Sequence, residues 1–450
     1  MNKQKHLTII GGGLAGCEAA WQAACRNIKV DLYEMRPIKK TGAHTTSDLS
    51  ELVCSNSLGS NLIDRASGLL KQELRMLNSL LIECADRSSV PAGGALAVDR
   101  KMFSSLVESK IRSHKNVTLI REEVKSIPNG ISIIASGPLT SKLLIDEMNA
   151  LFGENNLYFF DAIAPIITSN SINMNIAFKK SRYDRNSGED GDYINCPFTS
   201  DQYYSFLKEI INAKRIQLKS FENEIINNKN NPEIKYFESC LPIEIIAKRG
   251  MDALSYGPMR PVGLNNPVTN KRYKGVVQLR QDDIHGDFYN IVGFQTNLTF
   301  SEQKRIFRMI PGLENAEFVR YGQMHRNTYV NSPKLLQKTL QCNTHPNLFF
   351  AGQITGVEGY VGSIATGLVA GINASSYLEQ NNMNIYPKNT MLASLINYIT
   401  DANIKEFHPM KANFGILSPF VNKIKSKRER AQAYSDRSLS DLQDYLLQNI

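Results

Sequence analysis

The sequence has little cysteine, no paired-cysteine motif and no long apolar run. Its seven cysteines are scattered over 450 residues without regular spacing, which favours free thiols in a reducing cytoplasm over a disulfide framework. Because no Cys-x-x-Cys pair occurs, we expect no zinc site and predict no metal ligand. No stretch approaches the roughly 18 apolar residues of a membrane-spanning helix, and the first residues do not resemble a signal peptide. The sequence therefore predicts a cytoplasmic protein without a membrane partner.

The composition is that of a globular protein with a basic bias. Hydrophobic residues make up 42% and charged residues 21% of the chain, and a chain of this length is expected to form two domains. The net charge is +9. Such a charge suits a polyanionic partner such as a nucleic acid, although a composition rich in lysine, asparagine and isoleucine gives the same excess. Both interpretations stay open on charge alone.

The N-terminal residues have the order of a dinucleotide-binding unit: strand, glycine turn, Ala-rich helix, second strand and acid. These parts are Leu7–Ile10, Gly11–Gly16, Leu14–Arg26, Lys29–Tyr33 and Glu34. In this G-x-G-x-x-G turn, glycines allow a tight turn, close approach to a pyrophosphate and close helix packing, while the acid accepts from ribose hydroxyls. The alternative is a glycine-rich turn in another α/β protein. The predicted cofactor-binding residues are Gly11, Gly12, Gly13, Leu14, Ala15, Gly16 and Glu34.

A second glycine-rich segment lies at 348–374 and reads as strand, loop and small-residue helix. Its six glycines exceed the need of an ordinary strand–loop–helix crossover, so we expect it to contact the cofactor. A fingerprint near the first residue, with more glycine-rich sequence far downstream, favours FAD. The residues predicted to contact the cofactor here are Gly352, Glu358, Gly359 and Gly362.

The composition changes along the chain and suggests an insertion. Strands are predicted at Val117–Ile120 and Ile131–Ala135, whereas residues 181–234 are rich in asparagine, tyrosine and charge. We therefore predict an α/β protein whose FAD-binding domain is split into 1–180 and 335–450. An inserted α+β domain for substrate or RNA would occupy 181–334.

Two cysteines stand in sequences unlike those of a buried strand. Cys54 lies among serine, asparagine and glycine, and Cys240 precedes a proline, with Lys248 and Arg249 shortly after it. A buried, inert cysteine is the default, but nearby cations or backbone dipoles make a thiol reactive. The remaining cysteines are predicted to serve packing: Cys17, Cys25, Cys84, Cys196 and Cys342.

Long motifs throughout the chain resemble those of one family. They include Gly-Gly-Gly-Leu-Ala-Gly-Cys-Glu-Ala (11–19), Tyr-Glu-Met-Arg-Pro (33–37), Thr-Gly-Ala-His-Thr-Thr (41–46), Glu-Leu-Val-Cys-Ser-Asn-Ser-Leu (51–58), Tyr-Gly-Pro-Met-Arg-Pro-Val-Gly-Leu (256–264), Arg-Tyr-Gly-Gln-Met-His-Arg-Asn-Thr-Tyr (320–329) and Gly-Gln-Ile-Thr-Gly-Val-Glu-Gly-Tyr (352–360). The chain resembles the folate- and FAD-dependent tRNA (uracil-5-)-methyltransferases, the TrmFO family, which are related to GidA. It departs from their pattern mildly, at Ser239 and Lys411.

The resemblance implies a glutathione-reductase-type FAD domain and the formation of 5-methyluridine in the T-loop of tRNA. Methylenetetrahydrofolate would give the carbon, and NADH or NADPH would reduce the flavin. Uracil C5 is a poor nucleophile until a thiolate adds to C6. The resemblance thus makes Cys54 and Cys240 catalytic, and we favour Cys240 as the C6 nucleophile and Cys54 at the flavin.

The remaining candidates concern RNA or folate. Lys248, Arg249, His325 and Arg326 are predicted to bind one of them, but a structural role is the alternative for each. A basic segment near the C-terminus contacts RNA phosphate or is a solvated helix surface; its candidates are Lys423, Lys427 and Arg428. No obligate protein partner is inferred. The competing functions are the same chemistry on ribosomal RNA, a small-molecule flavin oxidoreductase, and a non-catalytic flavin- or RNA-binding protein.

Overall fold

The computed structural model describes residues 5–153, 157–162, 164–182, 191–216, 241–265, 271–404, 407–422 and 424–449, with backbone alone at 157–162, 324–326 and 449. The strands are β1 (His6–Ile10), β2 (Lys29–Tyr33), β3 (Ser57–Ser60), β4 (Ser89–Val90), β5 (Ala95–Val98), β6 (Val117–Ile120), β7 (Ser132–Ile134), β8 (Leu157–Ala162), β9 (Ile166–Thr168), β10 (Phe178–Lys179), β11 (Tyr193–Phe198), β12 (Gly275–Gln281), β13 (Phe288–Ile291), β14 (Phe318–Arg320), β15 (Met324–Tyr329) and β16 (Leu348–Phe350). The α-helices are Leu14–Cys25, Ala66–Met76, Leu80–Arg87, Arg100–Ser113, Lys142–Phe152, Ser200–Asn212, Ile243–Ala247, Ala253–Tyr256, Phe300–Phe307, Ser332–Leu335, Tyr360–Leu378, Met391–Ile399 and Lys427–Asn449.

The first unit is built on a parallel sheet with the strand order β16-β7-β1-β2-β6. Leu7 on β1 pairs with Val30 on β2, and Ile9 pairs with Ile133 on β7. The inner strands β1 and β7 are short and rich in buried β-branched residues, as expected where both faces of a parallel sheet are covered. This sheet confirms the predicted Rossmann-like domain, and the carboxyl ends of its strands form one edge where a nucleotide can bind.

Two helices from opposite ends of the chain cross closely in the first unit. A Cβ on Gly367 would lie 2.3 Å from the carbonyl oxygen of Ala15, and one on Gly371 would lie 2.6 Å from that of Ala19. These glycines therefore let the helices Tyr360–Leu378 and Leu14–Cys25 touch backbone to backbone. Part of the glycine-rich segment at 348–374 thus serves packing and not cofactor contact.

The second unit has its own antiparallel sheet, with the order β10-β11-β12-β13-β9-β14. Its separate core includes Ile167, Phe198, Phe206, Phe294 and Phe307, all fully buried. The predicted boundary at 181 falls inside this sheet, because β9 lies between β13 and β14 and β10 pairs with β11. The inserted α+β unit therefore starts before 166. The antiparallel pair β8–β15 lies where the chain leaves the first unit and returns to it.

A buried carboxylate ties the C-terminal helices to the first unit. Glu73 accepts bonds from the N–H groups of Met391 (2.8 Å) and Leu392 (2.7 Å) and from the hydroxyl of Ser438. Burial raises the pKa of Glu73 to about 7, against the opposing effect of these bonds. No helix in the described part of the chain is long and apolar enough to cross a bilayer.

Candidate cofactor and substrate site

A groove runs along the carboxyl ends of the parallel strands and meets the N-terminus of the helix Leu14–Cys25. The predicted residues that line it are Gly11, Gly13, Leu14, Ala15, Glu34 and Gly352. Loop residues after β7, including Ser136 and Pro138, form the opposite wall. An anion in this groove would face unpaired backbone N–H groups at the helix start. The groove therefore has the position and the donors of a dinucleotide site.

The fingerprint glycines have different roles in this turn. Gly11 has φ +111°, and a Cβ there would lie 2.5 Å from the carbonyl oxygen of Ala135. A Cβ on Gly16 would lie 1.8 Å from the carbonyl oxygen of Gly11, so Gly16 serves close packing. A Cβ on Gly13, by contrast, would meet no protein atom within 4 Å. Gly13 therefore borders open groove and not protein.

The acid that follows β2 is held in a buried network. Glu34 is 6% exposed, and its oxygens accept from the N–H of Gly12 (3.1 Å) and from Nε of Arg36 (2.9 Å). Burial would raise the pKa of Glu34, but the bonds from Arg36 hold it below its usual value. Arg36 also bonds Glu51 at 3.0 Å. The sequence analysis did not single out Arg36. The pattern that could have indicated it is an arginine two residues after the acid that closes β2.

A second cleft continues from the groove and contains Cys54. Val53, Pro138, Leu139, Gln353 and Tyr360 line both spaces, so the two form one continuous site. The predicted cofactor residues Glu358, Gly359 and Gly362 also line this cleft, as does Lys411. Glu358, Gly359 and Gly362 therefore lie in the Cys54 cleft, whereas Gly352 lies in the nucleotide groove. Cys54 is half-buried, which leaves it accessible from the cleft.

Hydrogen bonds from both units fix the backbone of Cys54. Its N–H donates to the hydroxyl of Tyr360 (2.8 Å), and its carbonyl accepts from Arg100 (3.0 Å) and Arg320 (2.8 Å). Asp282 of the second unit pairs with Arg100 at 2.8 Å. Burial, and then the nearby Cys54, raise the pKa of Tyr360, so its hydroxyl stays protonated and accepts this bond. Cys54 therefore lies at the junction of the two units in a fixed backbone position.

The next two residues are held by a third arginine. Arg280 on β12 donates from Nε to the amide oxygen of Asn56 (2.9 Å) and from Nη2 to the hydroxyl of Ser55 (2.6 Å). Burial lowers the pKa of Arg280 and of Arg320, but both remain far above neutrality as guanidinium groups. Three arginines, Arg100, Arg280 and Arg320, thus hold residues 54–56 by hydrogen bonds.

A buried lysine supports the wall of the same cleft. Lys71 is fully buried and donates to the carbonyls of Leu58 (2.9 Å) and Ser60 (2.7 Å) and to the hydroxyl of Ser67 (2.9 Å). Leu58 and Ser67 line the Cys54 cleft. Burial lowers the pKa of Lys71 to about 7. No sequence pattern distinguishes this lysine, because it stands in the middle of an amphipathic helix.

The predicted RNA or folate residues are spread over the molecule. Lys248 and Arg249 are exposed at the end of the helix Ile243–Ala247, and Lys427 and Arg428 are exposed in the first turn of the last helix. Cys240, Ser239 and Lys423 lie outside the described residues, as do the side chains of His325 and Arg326. The backbone of His325 pairs with Asp161, and that of Arg326 with Phe160.

Arg249 lines a further cavity on the second unit, next to the Cys54 cleft. Leu241, which follows Cys240 in sequence, lines this cavity together with Tyr256 and Gly293. Gln295 lines both this cavity and the Cys54 cleft. The region near the second predicted cysteine therefore adjoins the site that contains the first.

The remaining cysteines differ from Cys54. Cys17, Cys84, Cys196 and Cys342 are buried, as predicted for packing residues, and burial raises the pKa of Cys17 to about 12. Cys25 is exposed, so the prediction that it serves packing was wrong; it lies in the last turn of its helix, on the side away from the core. Within the described residues no group of three or more His, Cys, Asp or Glu side chains is arranged to hold a metal ion.

Comparisons with known proteins identify the relatives of this chain. The model of the family "Glucose inhibited division protein A" (GIDA) matches residues 6–382. A protein from Halalkalibacterium halodurans named "Methylenetetrahydrofolate--tRNA-(uracil-5-)-methyltransferase TrmFO" is 52% identical over 441 residues, which are 98% of each chain. A protein of the same name from Bacillus subtilis is 52% identical over 443 residues, 98% of this chain and 99% of the relative. A crystal structure of Aquifex aeolicus GidA superposes with a TM-score of 0.68 at 15% identity and covers 99% of this chain and 74% of that one.

Proposed function

The chain belongs to the GidA family and groups with its TrmFO members, and we propose that it is an FAD-dependent methyltransferase that forms 5-methyluridine in tRNA. The carbon donor is methylenetetrahydrofolate, as the names of the relatives state for them. The observation that carries the proposal is the position of Cys54. It is an accessible thiol at the inner end of a nucleotide groove, with its backbone fixed by both units.

The groove fits FAD in its donor groups and in its free space. The turn around Gly13 would hold the pyrophosphate, because open space lies beside its Cα and the start of a helix lies behind it. Glu34 would accept from the adenosine ribose at the end of β2. Gly352 and the N-terminus of the helix Tyr360–Leu378 would face the inner part of the cofactor. When bound, FAD supplies the one-carbon unit taken from the folate and the electrons that reduce it to a methyl group.

One thiol acts on the uridine and the other acts beside the flavin. A thiolate, which we assign to Cys240, adds to C6 and makes C5 nucleophilic. C5 then forms a bond to the one-carbon unit, a base removes the C5 proton, and the S–C6 bond breaks to restore the ring double bond and the thiolate. Cys54 acts beside the flavin, where Glu358 and Gly359 share its cleft. The target uridine must leave its stack to reach either thiol. Basic residues compensate for this cost through counterion release, and we propose Lys427 and Arg428 as phosphate contacts.

The finer assignments are proposals of the same kind. NADH or NADPH reduces the flavin, the T-loop uridine of tRNA is the target, and the protein works in the cytoplasm, in keeping with six described cysteines that form no disulfide. His325 and Arg326 bind folate or RNA. A ribosomal RNA uridine is the second candidate target, since the same thiol chemistry would act on it.

The experiment that tests the proposal traces the one-carbon unit from the folate into RNA. Purified protein is incubated with labelled methylenetetrahydrofolate, NADH and undermodified transcripts of tRNA or ribosomal RNA. We expect label in 5-methyluridine of tRNA. Label in ribosomal RNA alone would show that ribosomal RNA, and not tRNA, is the substrate. NADH oxidation without labelled RNA would refute the proposal in favour of a small-molecule flavin oxidoreductase. Cys25→Ala, at an exposed cysteine outside the site, is the matched control for Cys54→Ala and Cys240→Ala.

A further inference from the structure

An exposed tyrosine stands beside the cavity that adjoins the Cys54 cleft. Tyr256 ends the helix Ala253–Tyr256 and is 84% exposed. The next most exposed aromatic side chain in the described part of the chain, Phe300, is 45% exposed. A tyrosine ring left in water loses the burial that normally stabilises it, so its position calls for a partner. The cavity it borders also contains Arg249 and Gln295.

The surface around Tyr256 is basic. Lys248, Arg249, Arg260, Lys271 and Arg272 are all exposed. Within 241–265 and 271–274 the one exposed carboxylate is that of Asp252, which pairs with Lys274 at 2.7 Å. The second acid there, Glu244, is buried and accepts from Thr296 and Asn297. An exposed ring among exposed cations is the combination that single-stranded nucleic acid binds: bases stack on the ring and phosphates meet the cations.

The cavity also adjoins the Cys54 cleft. Gln295 borders both spaces, and Leu241, which follows Cys240 in sequence, lines the cavity together with Tyr256. Gly293 has φ +78°, and a Cβ there would lie 2.7 Å from Cβ of Pro258. Gly293 thus lets the Gly257–Pro258 turn pack closely against it, and both line the same cavity as Tyr256.

We propose that Tyr256 is a stacking platform for a base of the RNA substrate that neighbours the target uridine, with Arg260 on the adjoining phosphate. This inference rests on the proposed function, because it takes RNA as the substrate. The ring replaces part of the stacking that the RNA loses when the uridine leaves its helix. It binds substrate and takes no part in the bond changes at C5 or C6.

The test measures binding of a fluorescent, undermodified tRNA transcript without folate or NADH. Tyr256→Ala should weaken binding roughly 10- to 100-fold, whereas Tyr256→Phe should restore it, because stacking needs the ring and not the hydroxyl. The salt dependence should stay unchanged in Tyr256→Ala but fall by about one unit of log–log slope in Arg260→Gln. Val421→Ala, at a fully exposed apolar residue of the other unit, is the control.

An abasic scan of the transcript identifies the stacked base. Removing that base should weaken binding to the wild type as much as Tyr256→Ala does, with no further loss when both changes are combined. Equal binding by the wild type and Tyr256→Ala, or additive losses at every abasic position, would overturn the inference. A change of oligomeric state in Tyr256→Ala with unchanged RNA binding would also overturn it, in favour of a protein interface. Because binding is measured without methyl transfer, failure of the methylation assay would refute the proposed function and not this platform.

Discussion

Replacing Gly13 is expected to weaken FAD binding while leaving the stability of the fold nearly unchanged. Gly13 has φ −81° and ψ −168°, which any residue adopts, and its added Cβ meets no protein atom within 4 Å. A valine there should therefore change the unfolding free energy by no more than about 1 kcal/mol, the scale of helix N-cap substitutions. Its side chain would instead enter the space that we assign to the FAD pyrophosphate.

The expected loss of FAD affinity follows from the phosphate contacts. Hydrogen bonds to charged groups contribute about 1.5–3 kcal/mol each. Displacing the pyrophosphate from two backbone N–H groups would cost roughly 3–6 kcal/mol, or about 10²- to 10⁴-fold in affinity. The measurement is flavin absorbance per protein after purification, followed by titration of the apoprotein with FAD.

Gly16→Ala is the contrasting control in the same turn. Its Cβ would lie 1.8 Å from the carbonyl oxygen of Gly11, so the helix must move, and both the thermal midpoint and the flavin content should fall. Gly13→Val should lower the flavin content alone. Full flavin content in Gly13→Val would refute the assignment of the groove, and unfolding of Gly13→Val would refute the reasoning from open space.

Two further predictions concern the site and the fold. Arg320→Met removes the donors to the Val53 and Cys54 carbonyls. It should lower kcat for methyl transfer roughly tenfold or more and change the alkylation rate of Cys54, while the flavin content stays the same. Arg308→Met is the control, because Arg308 binds the Ala316 carbonyl within the second unit; an unchanged kcat in Arg320→Met would contradict the role of Arg320. Because the folded pKa of Glu73 lies above its ordinary value of 4.5 and reaches about 7, the native state binds the extra proton, and this stabilisation is lost as the pH rises from about 4.5 to 7. Relative to Glu73→Gln, the wild type should lose roughly 3 kcal/mol of unfolding free energy over that range, measured by urea unfolding; a gain would contradict the assigned direction.

The sequence predicted the nucleotide-binding half well because its signals are local. Gly11 and Gly16 reveal a tight turn within six residues, and β1, β2, β6 and β7 lie where the apolar runs predict them. The start of the second unit was placed too late, because β9 and β10 are only three and two residues long. Strands so short have no alternation that a sequence pattern can show.

The surroundings of Cys54 could not be predicted from the sequence. The arginines that bond its carbonyl, Arg100 and Arg320, are 46 and 266 residues away along the chain. Nothing in their local sequence distinguishes an arginine that binds a backbone carbonyl from one that binds phosphate. Only the packing of the two units against each other brings these cations to one loop.

The proposed chemistry requires that a thiolate of this chain adds to C6 of an RNA uridine. The most direct measurement incubates the wild-type protein with tRNA that contains 5-fluorouridine, methylenetetrahydrofolate and NADH, and identifies the RNA-linked peptide by mass spectrometry. A base cannot remove fluorine from C5 as it removes the proton of uridine, so the S–C6 bond should persist. The adduct should lie on Cys240. It should form unchanged in Cys25→Ala and be lost in Cys240→Ala. An adduct on Cys54 would reverse the roles of the two thiols, and the absence of any covalent RNA would contradict the account.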